Sequence, residues 1–476
     1  MAYNDSRNAA IRLYRKLHLG WLFNTSTFTG NFVLAFGLSY LFSRLGYEAD
    51  VNYVFFISVL SIGLWITESI PPFAVGIFII ASLLFGFGTD FVLPGYQTPT
   101  QVYLSTWTSN VIWLLLGGFF LAEGMSMVKL DRSLFRFTVQ RFGTKPERLL
   151  LGLMLTTAIG SMIMSNTATT AMMIGSVLPL AHAMGKSSAY TRALLVGIPA
   201  AATLGGMGTI IGSTPNAIAV GALQDKGLQI GFVEWMMFGM PTGLLAVWLF
   251  WRFMVKKMNL GHIQLDLSSV LDKGGSAINP TKRRAVLFTL IVTVGMWLTE
   301  PLHGLPIAAT SAIPIVLLTL FQIIKANDVR RLPWDTLMLV AGGLALGLAM
   351  VQVGLTTIIM DKINQLPFPT MGITIVFSLV AVLLSNIMSN TAAASILVPL
   401  GLSLPGIYGI ATPLIVALAC SCALLLPVST PANAVAFSTG MVEQKSFRQG
   451  GLFMILLGPI LAFITVMLWS LFFIGN

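Results

Sequence analysis

Two tripeptides of small polar residues, Ser165-Asn166-Thr167 and Ser389-Asn390-Thr391, interrupt long apolar stretches at 149–184 and 370–403. Downstream of them stand Ser213-Thr214-Pro215-Asn216-Ala217 and Ser429-Thr430-Pro431-Ala432-Asn433-Ala434. Asn and Thr side chains hydrogen-bond carboxylates, and Ser hydroxyls, Asn amide oxygens and backbone carbonyls are the oxygen ligands that a sodium ion requires. Proline withdraws a backbone donor and clashes with a preceding carbonyl, so a helix running through either Ser-Thr-Pro element breaks there. The resulting half-helices aim free N–H groups and positive dipole ends at a central site, and the unwound carbonyls face it as ligands. No Lys, Arg or His lies within either motif pair. A doubly charged anion would meet only partial charges, and burying uncompensated charge is costly. Bound cations would supply the neutralisation.

Other chemistries lack their residues. An intramembrane enzyme needs a nucleophile with a base, a metal-binding His motif or paired intramembrane acids, and none is found. His18, His182, His262 and His303 are scattered, and Cys420 and Cys422 sit in one apolar stretch as small packing residues. Acidic residues cluster at predicted span ends, where Glu68 and Glu300 read as interfacial caps or structural ion-pair partners. Glu123 lies inside a span, where the second half has Leu348, and reads as a side chain snorkelling toward the inner face, with a proton relay as the alternative.

The elements that position these motifs follow from composition. Of 476 residues 56% are hydrophobic and 9% charged, which excludes a water-soluble fold, and the apolar runs are too continuous for a β-barrel. The expected fold is an all-α polytopic membrane protein with full spans near 22–43, 51–68, 71–89, 110–128, 190–223, 231–255, 284–300, 304–324, 334–355, 410–440 and 450–474. The two segments carrying Ser-Asn-Thr read as re-entrant hairpins. Eleven spans and two hairpins put the N-terminus inside and the C-terminus outside. Charge position agrees: 24 of the 27 Lys and Arg fall on the cytoplasmic side, leaving only Arg44, Lys226 and Lys362 outside. The net charge of +10 is therefore a topology signal, and no nucleic-acid partner is expected. Arg7, Arg12, Arg15 and Lys16 precede a first span without a small-residue cleavage site, so that span is expected to be retained.

The chain also repeats itself. Trp65-Ile66-Thr67-Glu68 is echoed by Trp297-Leu298-Thr299-Glu300, Gly117-Gly118 by Gly342-Gly343, and both polar motifs recur in the same order. Glu68 falls inside and Glu300 outside, so the repeats are inverted, as in many carriers. The predicted organisation is a cytoplasmic N-terminus and first span (1–50), a first repeat (51–256), a cytoplasmic linker (257–283) and a second repeat (284–476).

These features together resemble the divalent anion/sodium symporter family, carriers of succinate, malate and fumarate, over nearly the whole chain. The resemblance implies inward, sodium-coupled dicarboxylate transport across a bacterial inner membrane, by a homodimer whose transport domains move as elevators against a scaffold. It implies substrate contact by Asn166, Thr167, Asn390 and Thr391, with Ser213, Thr430 and Pro431 lining the site. At least two sodium ions are implied, one held by Ser161, Ser165, Asn166 and backbone near Gly212, the other by Ser385, Asn390 and backbone near Met388 and Ser429. The family's Gly-Thr-Pro-Pro-Asn lacks one proline in each copy here, which leaves ligand geometry and substrate preference open. A sodium-independent exchanger of di- or tricarboxylates and a sulfate-type symporter are alternatives on the same fold.

Overall fold

The computed structural model describes residues 20–95, 99–260, 279–365 and 367–473. The basic N-terminal cluster and most of the predicted linker lie outside them. Among the described residues nineteen helices have eight residues or more. The first half contains α1 (Gly20–Ser43), α2 (Ala49–Thr67), α3 (Pro72–Gly88), α4 (Asn110–Met127), α5 (Leu130–Phe142), α6 (Pro146–Ser161), α7 (Asn166–Met184), α8 (Ala189–Gly205), α9 (Thr214–Gln224) and α10 (Phe232–Met258). The second contains α11 (Pro280–Leu298), α12 (Ile307–Leu320), α13 (Trp334–Gln352), α14 (Leu355–Asn364), α15 (Thr370–Ile387), α16 (Asn390–Gly401), α17 (Tyr408–Cys420), α18 (Pro431–Ser438) and α19 (Lys445–Phe473). Six helical segments are long and apolar enough to cross a membrane: 49–67, 101–127, 232–258, 334–352, 370–387 and 445–472. Helices suit lipid because every backbone bond closes within the segment.

Every helix from α2 to α10 has a counterpart nine places later. The packing repeats in the same way: α3 lies on α13 as α12 lies on α4, α6 on α8 as α15 on α17, and α9 on α16 as α18 on α7. The repeated glycines have a steric reason. A Cβ at Gly342 would lie 2.3 Å from Gly76 Cα, and one at the equivalent Gly117 would lie 2.5 Å from the Ser311 carbonyl. At these two crossings the helix backbones touch, as small residues permit. The repeated tryptophans are buried. Trp65 Nε1 donates to the Pro72 carbonyl at 3.3 Å and Trp297 Nε1 to Ser311 Oγ at 3.2 Å, each tying its helix to the next.

Two features differ from the sequence expectation. The segments 190–223 and 410–440 are each broken into two helices, α8 with α9 and α17 with α18, but the break does not lie at the proline. The chain leaves α-helical geometry at Gly206–Gly212, which forms two short 3-10 turns, and after Cys420, several residues before the prolines. Pro215 and Pro431 stand in the first turn of the following helix, where a missing N–H costs nothing. The breaks therefore arise upstream, from glycines in the first copy. Short helices α5 and α14 follow α4 and α13 in regions read only as connections. They are too short for a hydropathy window to register as spans.

Candidate functional site

Both Ser-Asn-Thr motifs fold identically. Ser165 Oγ accepts from Ala168 N and Ser389 Oγ from Ala392 N, each at 3.2 Å, capping α7 and α16. The preference of serine for this position is local chemistry: its side-chain oxygen satisfies an otherwise orphaned donor. Asn166-Thr167 and Asn390-Thr391 thereby occupy the first turns of two helices, where free N–H groups and the positive dipole end favour an anion. Thr391 is buried, whereas Asn166, Thr167 and Asn390 are half-buried.

The turn between α6 and α7 and the turn between α15 and α16 are each bonded to the break in their own half. In the first half Thr209 Oγ1 donates to the Met162 carbonyl. The atoms around the Asn166 amide turn its nitrogen toward three acceptors, the Ala202 and Gly212 carbonyls at 3.1 Å each and Ser161 Oγ at 2.6 Å, which its two protons share. In the second half Asn386 Oδ1 accepts from Leu425 N at 2.9 Å and from Ser429 Oγ at 3.0 Å. The breaks are further clamped by the asparagine ending each proline motif. Asn216 Nδ2 donates to the Gly206 carbonyl at 2.9 Å and the Thr209 carbonyl at 2.8 Å, and Asn433 Nδ2 to the Leu426 carbonyl at 3.0 Å. Trp235 Nε1 takes a further loose carbonyl, that of Met207, at 2.9 Å. Sequence reading assigned no role to Asn216, Asn386 or Asn433. The repetition of Asn216 and Asn433 was the signal for two of them, but Asn386 has Met162 as its counterpart and carries no such mark.

The halves meet through hydroxyls. Thr214 Oγ1 lies 2.5 Å from Thr391 Oγ1, and Ser213 Oγ 3.1 Å from Ser421 Oγ. Thr214, unassigned from sequence, thus touches a predicted substrate residue directly, while Ser213 faces the start of the opposite break. Thr430 Oγ1 caps α18 by accepting from Asn433 N at 3.1 Å, and Pro431 is exposed beside it.

The oxygen sets expected for cations divide as follows. Ser161 Oγ, the Asn166 amide and the Gly212 carbonyl converge, while the Ser165 hydroxyl is occupied as a cap. Only glycines fit this cradle: a Cβ at Gly206 would lie 2.5 Å from the Asn166 amide, and one at Gly212 would lie 2.5 Å from the Gly206 carbonyl. In the second set, Asn390 Oδ1 is buried with no hydrogen-bond partner, and the buried Ser385 Oγ has only the Cys420 thiol beside it. Ser429 Oγ donates toward Asn386 and accepts from Leu426 N at 3.1 Å, and Met388 is extended, joining α15 to the Ser389 cap. Buried hydroxyl and amide oxygens are otherwise almost always paired. The hard oxygens of the second set fit a small cation, whereas the first set presents the Asn166 nitrogen and fits one only with that amide turned over.

A cavity of about 530 Å³ runs from Glu234 and Glu300 past Asn110, Leu114 and Val220 to Ile210, beside the first break. At its mouth, in the turn between α11 and α12, burial holds the Glu300 carboxyl above the usual carboxylate range. The Phe232 amide and His303 oppose this shift, and the nearby Glu234 adds to it. Among the described residues no group of three or more His, Cys, Asp or Glu could hold a metal ion.

Comparison with known proteins agrees with this architecture. The family model described as CitMHS, citrate transporter, matches residues 62–423. The sodium-dependent dicarboxylate transporter SdcS of Staphylococcus aureus (strain USA300) is 29% identical over 440 residues, covering 84% of this chain and 82% of its own. SdcS of Staphylococcus saprophyticus is 28% identical over 439 residues, covering 84% and 83%. Among solved structures, Neisseria gonorrhoeae MtrF, from a class of antimetabolite efflux pumps, aligns with TM-score 0.54 at 14% identity over 84% of this chain and 95% of MtrF. The Alcanivorax borkumensis YdaH transporter aligns with TM-score 0.51 at 13% identity, over 85% and 98%. These two likenesses speak to fold alone.

Proposed function

The chain belongs to the CitMHS citrate transporter family and is a multi-pass membrane transporter, not an enzyme; from that premise we propose that it couples inward movement of C4 dicarboxylates to the sodium gradient. The observation that carries this reading is the pairing of two identically capped helix N-termini, each bonded to the break in its own half, with Asn390 Oδ1 beside the second cap left without a hydrogen-bond partner. The names of the SdcS relatives support the same substrate class and the same coupling ion.

In this reading Asn166-Thr167 and Asn390-Thr391 bind the two carboxylates through amides, hydroxyls and helix N–H groups. Ser161, Asn166 and Gly212 hold one sodium ion, with Asn166 turning its amide oxygen toward the cation. Ser385, Asn390, Met388 and Ser429 hold the other. Co-bound cations offset the substrate charge that partial dipoles leave uncompensated, which makes coupling a condition of binding. The paired segments α6–α7 and α15–α16 act as re-entrant hairpins entering from opposite faces, with the N-terminus inside and the C-terminus outside. Together with the broken helices they form a transport domain that moves as an elevator against a dimeric scaffold containing α3, α4, α12 and α13.

The test is uptake of labelled succinate into proteoliposomes under an inward sodium gradient, under potassium alone, and with unlabelled succinate inside. Concentrative uptake driven by sodium and abolished by Asn166→Ala or Asn390→Ala is the expected result. Uptake that ignores sodium and needs internal counter-substrate would make the protein an exchanger and remove the cation assignments.

A further inference from the structure

Equivalent positions in the two breaks are not chemically equivalent. Asn216 and Asn433 each reach back to the carbonyl seven residues earlier, Thr209 and Leu426. This register pairs Ser213 with Thr430 and Thr214 with Pro431. Thr430 spends its hydroxyl within its own half as a helix cap, and Pro431 brings none. Ser213 and Thr214 instead both reach across to the other half, to Ser421 and Thr391. Thr167, the counterpart of Thr391, makes no side-chain hydrogen bond among the described residues. The first break therefore brings a hydroxyl that joins Thr391 in a pair, whereas the equivalent positions of the second bring none across to the other half.

We propose that Thr214 is a specificity-determining residue, which through its pairing with Thr391 makes this protein favour C4 dicarboxylates with a hydroxyl on the 2-carbon over the unsubstituted acid. The proposal rests on the dicarboxylate reading above. Two hydroxyls joined by one hydrogen bond keep one proton and several lone pairs unused, so together they offer a substrate carbinol both a donor and an acceptor. A lone threonine hydroxyl cannot do this without giving up its contact with the carboxylate. The size of the effect is bounded by the pairing itself. Because Thr214 and Thr391 satisfy each other, the unsubstituted acid leaves no orphaned group and loses only the bond it fails to make. One net hydrogen bond corresponds to roughly two- to ten-fold in affinity, well short of the discrimination seen where an empty polar site is left unpaired.

The experiment measures inhibition of sodium-driven labelled succinate uptake by unlabelled malate and by unlabelled succinate in proteoliposomes, and takes the ratio of the two inhibition constants. Wild type should favour malate by roughly two- to ten-fold. Thr214→Val, which exchanges the hydroxyl for a methyl, should bring the ratio near one, and Thr214→Ser should retain the preference. If Thr214→Val does not fold, Thr214→Ala is compared with wild type by the thermal stabilisation that each anion gives the purified protein in sodium. A transporting variant without the hydroxyl that keeps the wild-type ratio overturns the proposal, as does a wild type that favours succinate. A wild type that carries neither anion would remove the dicarboxylate reading and this inference with it.

Discussion

Replacing Ser385 by alanine should change the protein's stability in opposite directions with and without sodium. Ser385 is fully buried on α15, and its hydroxyl has no hydrogen-bonding partner beyond a weak contact with the Cys420 thiol. An unsatisfied buried polar group costs about 1–3 kcal/mol. Removing it should therefore stabilise the sodium-free protein by about 1 kcal/mol, after the lost packing of one atom is allowed for. In sodium the sign reverses. At a concentration 100 times the dissociation constant, wild type gains about 2.7 kcal/mol from binding, and a variant binding ten-fold more weakly gains only about 1.4 kcal/mol. The assay is thermal unfolding of purified protein in potassium, titrated with sodium at constant ionic strength. Ser385→Ala should melt above wild type at zero sodium and show about half of its sodium-dependent rise. A variant that melts lower without sodium and keeps the full rise would refute both the orphan-oxygen argument and Ser385 as a sodium ligand.

Other perturbations test other parts of the structure. Gly342→Ala puts a methyl 2.3 Å from Gly76 Cα, a backbone atom that cannot swing aside; a loss of about 3 kcal/mol, at the upper end of overpacking costs, is expected in denaturant unfolding. Asn216→Ala removes two hydrogen bonds to break carbonyls and Asn433→Ala removes one, so the first should cost about 2–3 kcal/mol and the second about half as much, with equal losses counting against the clamp assignment. Glu300 is held above the usual carboxylate range chiefly by burial, so its ionised form destabilises the fold. Glu300→Gln should therefore raise the melting temperature at neutral pH and lose that advantage as the pH falls and the native carboxyl becomes protonated. A benefit that persists at low pH would contradict this.

Much of the outcome was written in local chemistry. In both copies Ser-Asn-Thr is a helix cap followed by polar first-turn residues, so the sequence alone located both helix starts, and the repetition of the motifs announced the two related halves. Hydropathy likewise located the apolar helices, because length and composition decide whether a segment is stable in lipid. What sequence could not reach was set by contacts between residues far apart in the chain. Asn386 acts only because α15 brings it beside Leu425 and Ser429, and nothing near it in sequence marks it. The breaks were attributed to proline, a local cause, but they begin upstream, where Gly205 packs 2.3 Å (as a Cβ) from Ala158 Cα and Gly206 folds against Gly212. Thr214 and Thr391, separated by 177 positions, form one hydroxyl pair. Composition and capping propensities are properties of short stretches and survive in the sequence as patterns, whereas the pairing of two surfaces depends on the path of the whole chain, and that only the tertiary structure decides.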